Sequence, residues 1–225
     1  MKKASIVLLL LLLLWAVPCG GAFAADIVDS GTCGAQGDNL TWTLTSDGLL
    51  TISGTGAMAD YPIYESAPWY CQRENIASLA IGDSVTNVGV RAFWNCSGLT
   101  SVTIGNDVTI IGDSAFQYCY GLMSVNIPDS VISIGNYTFH NCSGLTSLTI
   151  PASVTSIGEC AFSTCGSLIE ITVVMANPSY SSLDGVVFDK DKTELVCCPG
   201  GKAVHIPFQA ASPASENMRF VDVVV

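Results

Sequence analysis

The sequence predicts a β-rich solenoid, with coils of 23 residues stacked into a parallel sheet and a small β-hairpin cap in front of them. Three observations predict it. "LTSVTIGNDVTIIGDSAFQYC" (Leu99 to Cys119) returns 23 residues later as "LMSVNIPDSVISIGNYTFHNC" and again as "LTSLTIPASVTSIGECAFSTC". Each copy opens on a short stretch, rich in β-branched residues, that alternates apolar and polar as a half-buried strand does. A glycine then recurs at one fixed place, where a backbone must turn or adopt positive φ. A period this short stacks one structural unit per copy and buries a continuous core between neighbours.

The elements follow in order. Residues 1–25 read as a secretory signal peptide: "MKK", an apolar run over "IVLLLLLLLLWAV", and "AFA" before Ala25, with cleavage near Ala24 or Ala25. The run, about 12 to 13 residues, is too short to cross a bilayer comfortably. A lipid on Cys19 fits poorly, because Pro18 stands directly before it. No second run of membrane length follows, so the mature chain is expected to have no transmembrane segment. It would carry 19 acidic against 6 basic side chains, a formal charge of −13. Such a surface repels phosphate backbones and disfavours nucleic acid as a partner.

Residues 26–75 are read as an N-terminal β cap module. "LTWTL" and "LLTISG", joined through Ser46-Asp47-Gly48, make a hairpin that would shield the open apolar end of the solenoid. Cys33 and Cys71 both lie here, either as a disulfide or as free thiols.

The repeats occupy residues 76–173, as four full copies and the start of a fifth. The first position is Ile76, Leu99, Leu122, Leu145 and Leu168. The fourth is Leu79, Val102, Val125, Leu148 and Ile171, and the sixth is Ile81, Ile104, Ile127, Ile150 and Val173. The glycine column is Gly89, Gly112, Gly135 and Gly158. Phe93, Phe116, Phe139 and Phe162 then fill the coil interior, and Cys96, Cys119, Cys142 and Cys165 follow at one inward place. The "AFxxC" segment has room for a single turn of 3₁₀-like helix. The cysteines read as small buried hydrophobes. In-register neighbours are also close enough for a disulfide. A metal site is not expected, since the thiols are strung along the axis rather than gathered at a point.

At these residues the chain resembles the bacterial surface-antigen type of leucine-rich repeat, the BspA-like family, across residues 76–173. Residues 174–203 contain "NPSYSSLDGVVFDKDKTELVCCPGGK", which resembles an element found between repeats of that family and reads as a β-hairpin insertion. The lead-in "GTCGAQGDNLTWTLTSDGLLTISGTGAM" resembles the module that often precedes such repeats. The resemblance implies a leucine-rich-repeat solenoid, secreted or held at the cell surface. It implies binding or adhesion to a protein or glycan ligand on host or neighbouring cells, or to matrix. It carries no cofactor. A structural spacer or surface-layer element is the rival expectation, and a truncated, pseudogene-like fragment of a longer surface protein is another.

Residues 204–225 open a further repeat and then lose it. Val204-x-Ile206-Pro207 matches Val125-x-Ile127-Pro128, yet "FQAASPASENMRFVDVVV" follows. Read from the third base of each codon, beginning with that of Gln209, synonymous codons permit the peptide Ser-Gly-Val-Thr-Ser-Ile-Gly-Glu-Tyr-Ala-Phe-Arg-Gly-Cys-Ser-Gly. It matches "ASVTSIGECAFSTCGS" of residues 152–167 in the glycine, the Ala-Phe pair and the cysteine. The tail after about Pro207 is therefore read as a frameshifted repeat, with an evolved polar cap as the other reading.

No catalytic constellation accompanies the repeat, and the expectation is a protein that is not an enzyme. His140 falls in a variable surface pair, and His205 lies in the disrupted last repeat. Asp189 and Asp191 alternate with lysines, as in a solvated turn rather than a calcium loop. Asn95-Cys96-Ser97 and Asn141-Cys142-Ser143 match the glycan-acceptor pattern, which matters only where a host supplies that machinery. What remains is the outward strand face, and the candidate ligand contacts are Thr100, Ser101, Thr103, Ser124, Asn126, Thr146, Ser147 and Thr149.

Overall fold

Four strands precede the first full repeat in the computed structural model, which describes residues 25–202. β1 (Ile27–Gly34), β2 (Gly37–Thr45) and β3 (Leu49–Gly54) form an antiparallel meander, and β4 (Gly56–Ala57) follows. The β2–β3 turn places Gly48 at φ 85°, the left-handed conformation that favours glycine. Among the described residues the signal peptide and the segment after Lys202 do not figure. The expectations for cleavage, His205 and the frameshift lie outside them.

From β3 onward the sheet turns parallel. β5 (Ser78–Ile81) pairs with β3, aligning Leu50 with Leu79 and Ile52 with Ile81. β6 (Val85–Val88) lies on the second side of the coil. The same two sides recur in β7 (Ser101–Thr103) and β8 (Ile110–Ile111), β9 (Ser124–Val125) and β10 (Ser133–Ile134), β11 (Ser147–Ile150) and β12 (Ser156–Ile157). β13 (Glu170–Val173) closes the series. The first side gives the order β1-β2-β3-β5-β7-β9 with a separate β11-β13 pair, and the second gives β12-β10-β8-β6-β4. The predicted parallel sheet is thus interrupted between β9 and β11, where Thr146 N donates to Met123 O at 3.4 Å.

The core is a column of stacked rings. Phe93, Phe116, Phe139 and Phe162 follow one another at centroid spacings of 5.3, 5.4 and 5.7 Å, with interplanar angles of 16°, 3° and 5°. Trp69 extends the column by one coil, stacked on Phe93 at 5.3 Å, so the spine enters the segment read as the cap. Trp42 and Tyr61 then close it with edge contacts on Trp69. The cap and the repeats therefore share one core.

Two expectations are corrected. The "AFxxC" segments are runs of turns rather than 3₁₀ helix, and the one 3₁₀ helix among the described residues is Tyr70–Gln72. Left-handed residues recur instead at Arg91 and Asn95, Ser114 and Tyr118, Tyr137 and Asn141, and Cys160 and Thr164. They turn alternate N–H groups out of the coil toward the next one. The glycine column, in turn, does not have positive φ. It marks close approach of neighbouring coils: a Cβ on Gly112 would stand 2.8 Å from Val90 N and 2.9 Å from Val88 O.

β14 (Tyr180–Leu183), β15 (Val186–Asp189) and β16 (Leu195–Cys197) form an antiparallel sheet that folds back over the last coil. Asn177, fully buried, anchors it. Its Nδ2 donates to Pro151 O and Val154 O at 2.7 and 2.9 Å, and its Oδ1 accepts from Ser179 N and Tyr180 N at 2.8 Å each. All four capacities of the amide are used. Asn177→Ala is expected to cost about 2 kcal/mol, because buried partners lose their bonds, and to expose residues 178–197 to proteolysis. An unchanged melting temperature and cleavage pattern would refute the anchor.

Candidate binding surface

The outward strand positions form in-register rows. Ser78, Ser101 and Ser124 align across β5, β7 and β9, and Ser147 aligns with Glu170. Ala80 aligns with Thr103, and Thr149 with Thr172. Thr100, Ser101, Thr103, Ser124, Asn126, Thr146, Ser147 and Thr149 are all exposed on this face, while Val102, Val125 and Leu148 between them are buried. Strand alternation with one residue in and the next out produces this arrangement. One of the eight is already engaged: Thr100 Oγ1 donates to Ala77 O at 2.9 Å. Met123 and Ile169, each 58 % exposed, project among the hydroxyls. They add apolar anchors to the face, which the eight candidate contacts do not include.

The flank carries a second pattern. Trp94 and Tyr118 meet edge to face at 5.9 Å, and Tyr118 and His140 at 5.7 Å. Arg73 lies over Tyr70 at 4.4 Å, and Arg91 over Tyr64 at 4.9 Å. His140 Nδ1 is 2.7 Å from Ser163 Oγ, and partial burial lowers its pKa. It is a packed repeat residue, neutral at pH 7. Asp189 accepts from the Thr193 hydroxyl at 2.5 Å and from Glu194 N and Thr193 N at 2.8 and 2.6 Å, which orders the turn before β16 and holds its carboxyl below the usual range. No cluster of side chains suited to a metal occurs among the described residues.

The cysteine ladder is buried and reduced. Sγ of Cys119, Cys142 and Cys165 donates to the carbonyl of Phe93, Phe116 and Phe139, one coil back, at 3.2, 3.2 and 3.1 Å. Each cysteine thus supplies a donor to its neighbour's backbone, a role that a purely apolar residue of its size lacks. Burial pushes Cys96 up to about 12 and Cys165 up to about 11. Cys33 is buried and Cys71 exposed, both as free thiols, so the disulfide alternative is not what the structure holds. Thiol labelling of the native protein at pH 8, mapped by peptide, should modify Cys71 and Cys160 first. The four ladder thiols should react only on unfolding, and fast labelling of Cys119 or Cys142 would contradict the packing.

A short-period solenoid with a parallel strand face, a stacked aromatic spine and a flank of turns defines a leucine-rich-repeat protein. Residues 66–192 match the BspA type leucine rich repeat region in six copies, and the chain belongs to that family. The match begins ahead of Ile76, in agreement with Trp69 joining the spine. A leucine-rich repeat protein of known structure from Eubacterium ventriosum is 32% identical, with a TM-score of 0.64 over 78% of this chain and 52% of that one. This chain therefore spans about half the length of that relative. A leucine-rich repeat protein from Bacteroides ovatus is 29% identical over 62% of this chain and 40% of that one, with a TM-score of 0.45. The T. pallidum leucine rich repeat protein is 26% identical over 59% of this chain and 68% of that one, also with a TM-score of 0.45. No curated protein matches the chain. No helix among the described residues is long and apolar enough to cross a membrane.

Proposed function

We propose that the protein is an exported binding module, secreted or held at the cell surface, which engages a protein or glycan ligand through its strand face. One observation carries this reading: the exposed rows of hydroxyl and amide groups, in register from coil to coil, with Met123 and Ile169 projecting among them. Of the eight candidate contacts, Thr100 alone spends its side chain on a bond within the described residues. The other seven are free to bond a ligand's backbone or sugar hydroxyls. The signal-peptide pattern at the N-terminus and membership of the family support export. The fold by itself does not set the ligand.

The test starts with an array of matrix proteins and glycans. For any captured ligand, the triple variant Thr103→Lys, Asn126→Lys and Thr149→Lys should lower affinity at least about tenfold. Unchanged affinity overturns the reading. The exposed Tyr120 lies beside Tyr118, ring to ring at 5.9 Å; if Tyr120→Lys removes binding instead, the aromatic flank is the contact surface.

A further inference from the structure

The turn segments carry aromatic rings that the fold does not require. Tyr118 stands in the column of Asn95, Asn141 and Thr164, and Tyr120 in that of Ser97, Ser143 and Gly166. Tyr137 stands in the column of Arg91, Ser114 and Cys160. Smaller or polar residues therefore close the same turns in the other coils. At φ 65°, Tyr118 holds a left-handed conformation that suits Asn better than a bulky ring. The rings are also open to solvent: Tyr64 is 51 % exposed, Tyr120 44 % and Tyr137 40 %.

They belong to one continuous track along the solenoid axis. Tyr64 lies 4.9 Å from Trp94, and Trp94 meets Tyr118 at 5.9 Å. Tyr118 meets Tyr120 at 5.9 Å and His140 at 5.7 Å, and His140 meets Tyr137 at 5.6 Å. Trp94, Tyr118 and His140, in successive coils, are half-buried and back the exposed rings. Such a surface is rigid and loses little freedom when a ligand docks.

Three observations choose the ligand. A ring presented coil after coil suits a chain of repeating sugar rings, whose C–H groups pack on the negative aromatic faces. The backbone beneath offers nothing to an extended peptide, because every N–H from Ser114 to Tyr120 is bonded within the solenoid and no strand can be added there. Charge disfavours a polyanion. Glu74 pairs with Arg73 at 3.0 Å, and Glu65 adjoins Tyr64, so two acids balance the two arginines at this end. The chain as a whole is strongly acidic and repels nucleic acid and acidic glycans.

We infer that this track is a binding site for a neutral polysaccharide, laid along the solenoid axis with its sugar rings on Tyr64, Tyr120 and Tyr137. The site lies on the turn segments, beside the strand face, and goes beyond the reading proposed for that face.

Affinity electrophoresis of the full chain, in gels containing a soluble β-glucan, a mannan or an arabinoxylan, tests this. At least one polysaccharide should retard the protein. The double variant Tyr120→Ser and Tyr137→Ser installs a residue that the repeat itself uses at each place. It should keep the parent's melting temperature and lower affinity at least about tenfold. Tyr118→Asn, which removes a backing ring, should weaken binding without loss of stability. The strand-face triple variant should bind the polysaccharide as the parent does. No retardation by any of the three overturns the proposal, as does equal retardation of the double variant or stronger retardation by polygalacturonate. If the double variant instead abolishes capture of a matrix protein, or self-association, while no polysaccharide binds, the rings hold a protein or a second copy and the proposal falls. The polysaccharide should not displace a protein ligand of the strand face, so the two readings fail separately.

Discussion

Phe116→Ala lowers stability by about 3–5 kcal/mol, the range for truncating a buried aromatic. Phe116 is fully buried and stacked on both faces, at 5.3 Å from Phe93 and 5.4 Å from Phe139. Removing its ring leaves a gap in the middle of the spine. The neighbouring rings cannot close it, because each is fixed by backbone bonds to the coils on either side. In a solenoid, stability resides in each coil and in its interface with the next, so the loss falls on two interfaces at once. Thermal melts monitored by far-UV circular dichroism should show a fall of about 10 °C, given about 2–4 °C per kcal/mol for a chain of this size. Phe116→Leu should cost clearly less. A melting temperature within 2 °C of the parent, roughly 1 kcal/mol or less, would mean that the column does not hold the coils together.

Gly135→Ala is expected to cost about 3 kcal/mol, at the upper end for overpacking. The added methyl would meet the neighbouring coil's backbone, 2.6 Å from Asp113 N and 2.8 Å from Gly112 C. Neither atom can swing away as a side chain can. The coils would have to part where Gly135 N donates to Ile111 O at 2.8 Å and Asn136 N to Asp113 Oδ1 at 2.7 Å. Gly166→Ala is the matched control, since its added methyl would meet nothing within 4 Å, and it should stay within about 0.5 kcal/mol of the parent. Equal effects at the two positions would refute the close-approach account of the glycine column.

Much of this architecture is legible in the sequence. The strand positions, the Phe column, the Cys column and the exposed face all follow from the 23-residue period, because a residue type kept at a fixed interval meets its own copy in the next coil. The candidate contacts follow from strand alternation alone. The left-handed turns are harder to see. Their columns hold Arg91, Ser114, Tyr137 and Cys160, and Asn95, Tyr118, Asn141 and Thr164, with no glycine to announce positive φ. The coil's closure fixes those angles. Trp69 is equally hidden from the 23-residue columns: it stands ahead of Ile76 and joins the Phe column through its place in space.

The sequence by itself determined the repeat, its coil length, the inward and outward residues, and the export signal expected at residues 1–25. Each of these depends on local pattern, and local pattern is written in residue order. The tertiary structure alone decided how the ends are finished. It showed that the cap shares the repeat's core, that Asn177 locks the folded-back sheet, and that this sheet takes up donors of β12 and β13 through Tyr180, Ser182 and Gly185. The physical reason is that the partner of a backbone N–H depends on what lies across from it. In a solenoid the facing residue is set by the stacking of coils, and at an end, where the repeat no longer dictates the next coil, only the fold shows what stands there.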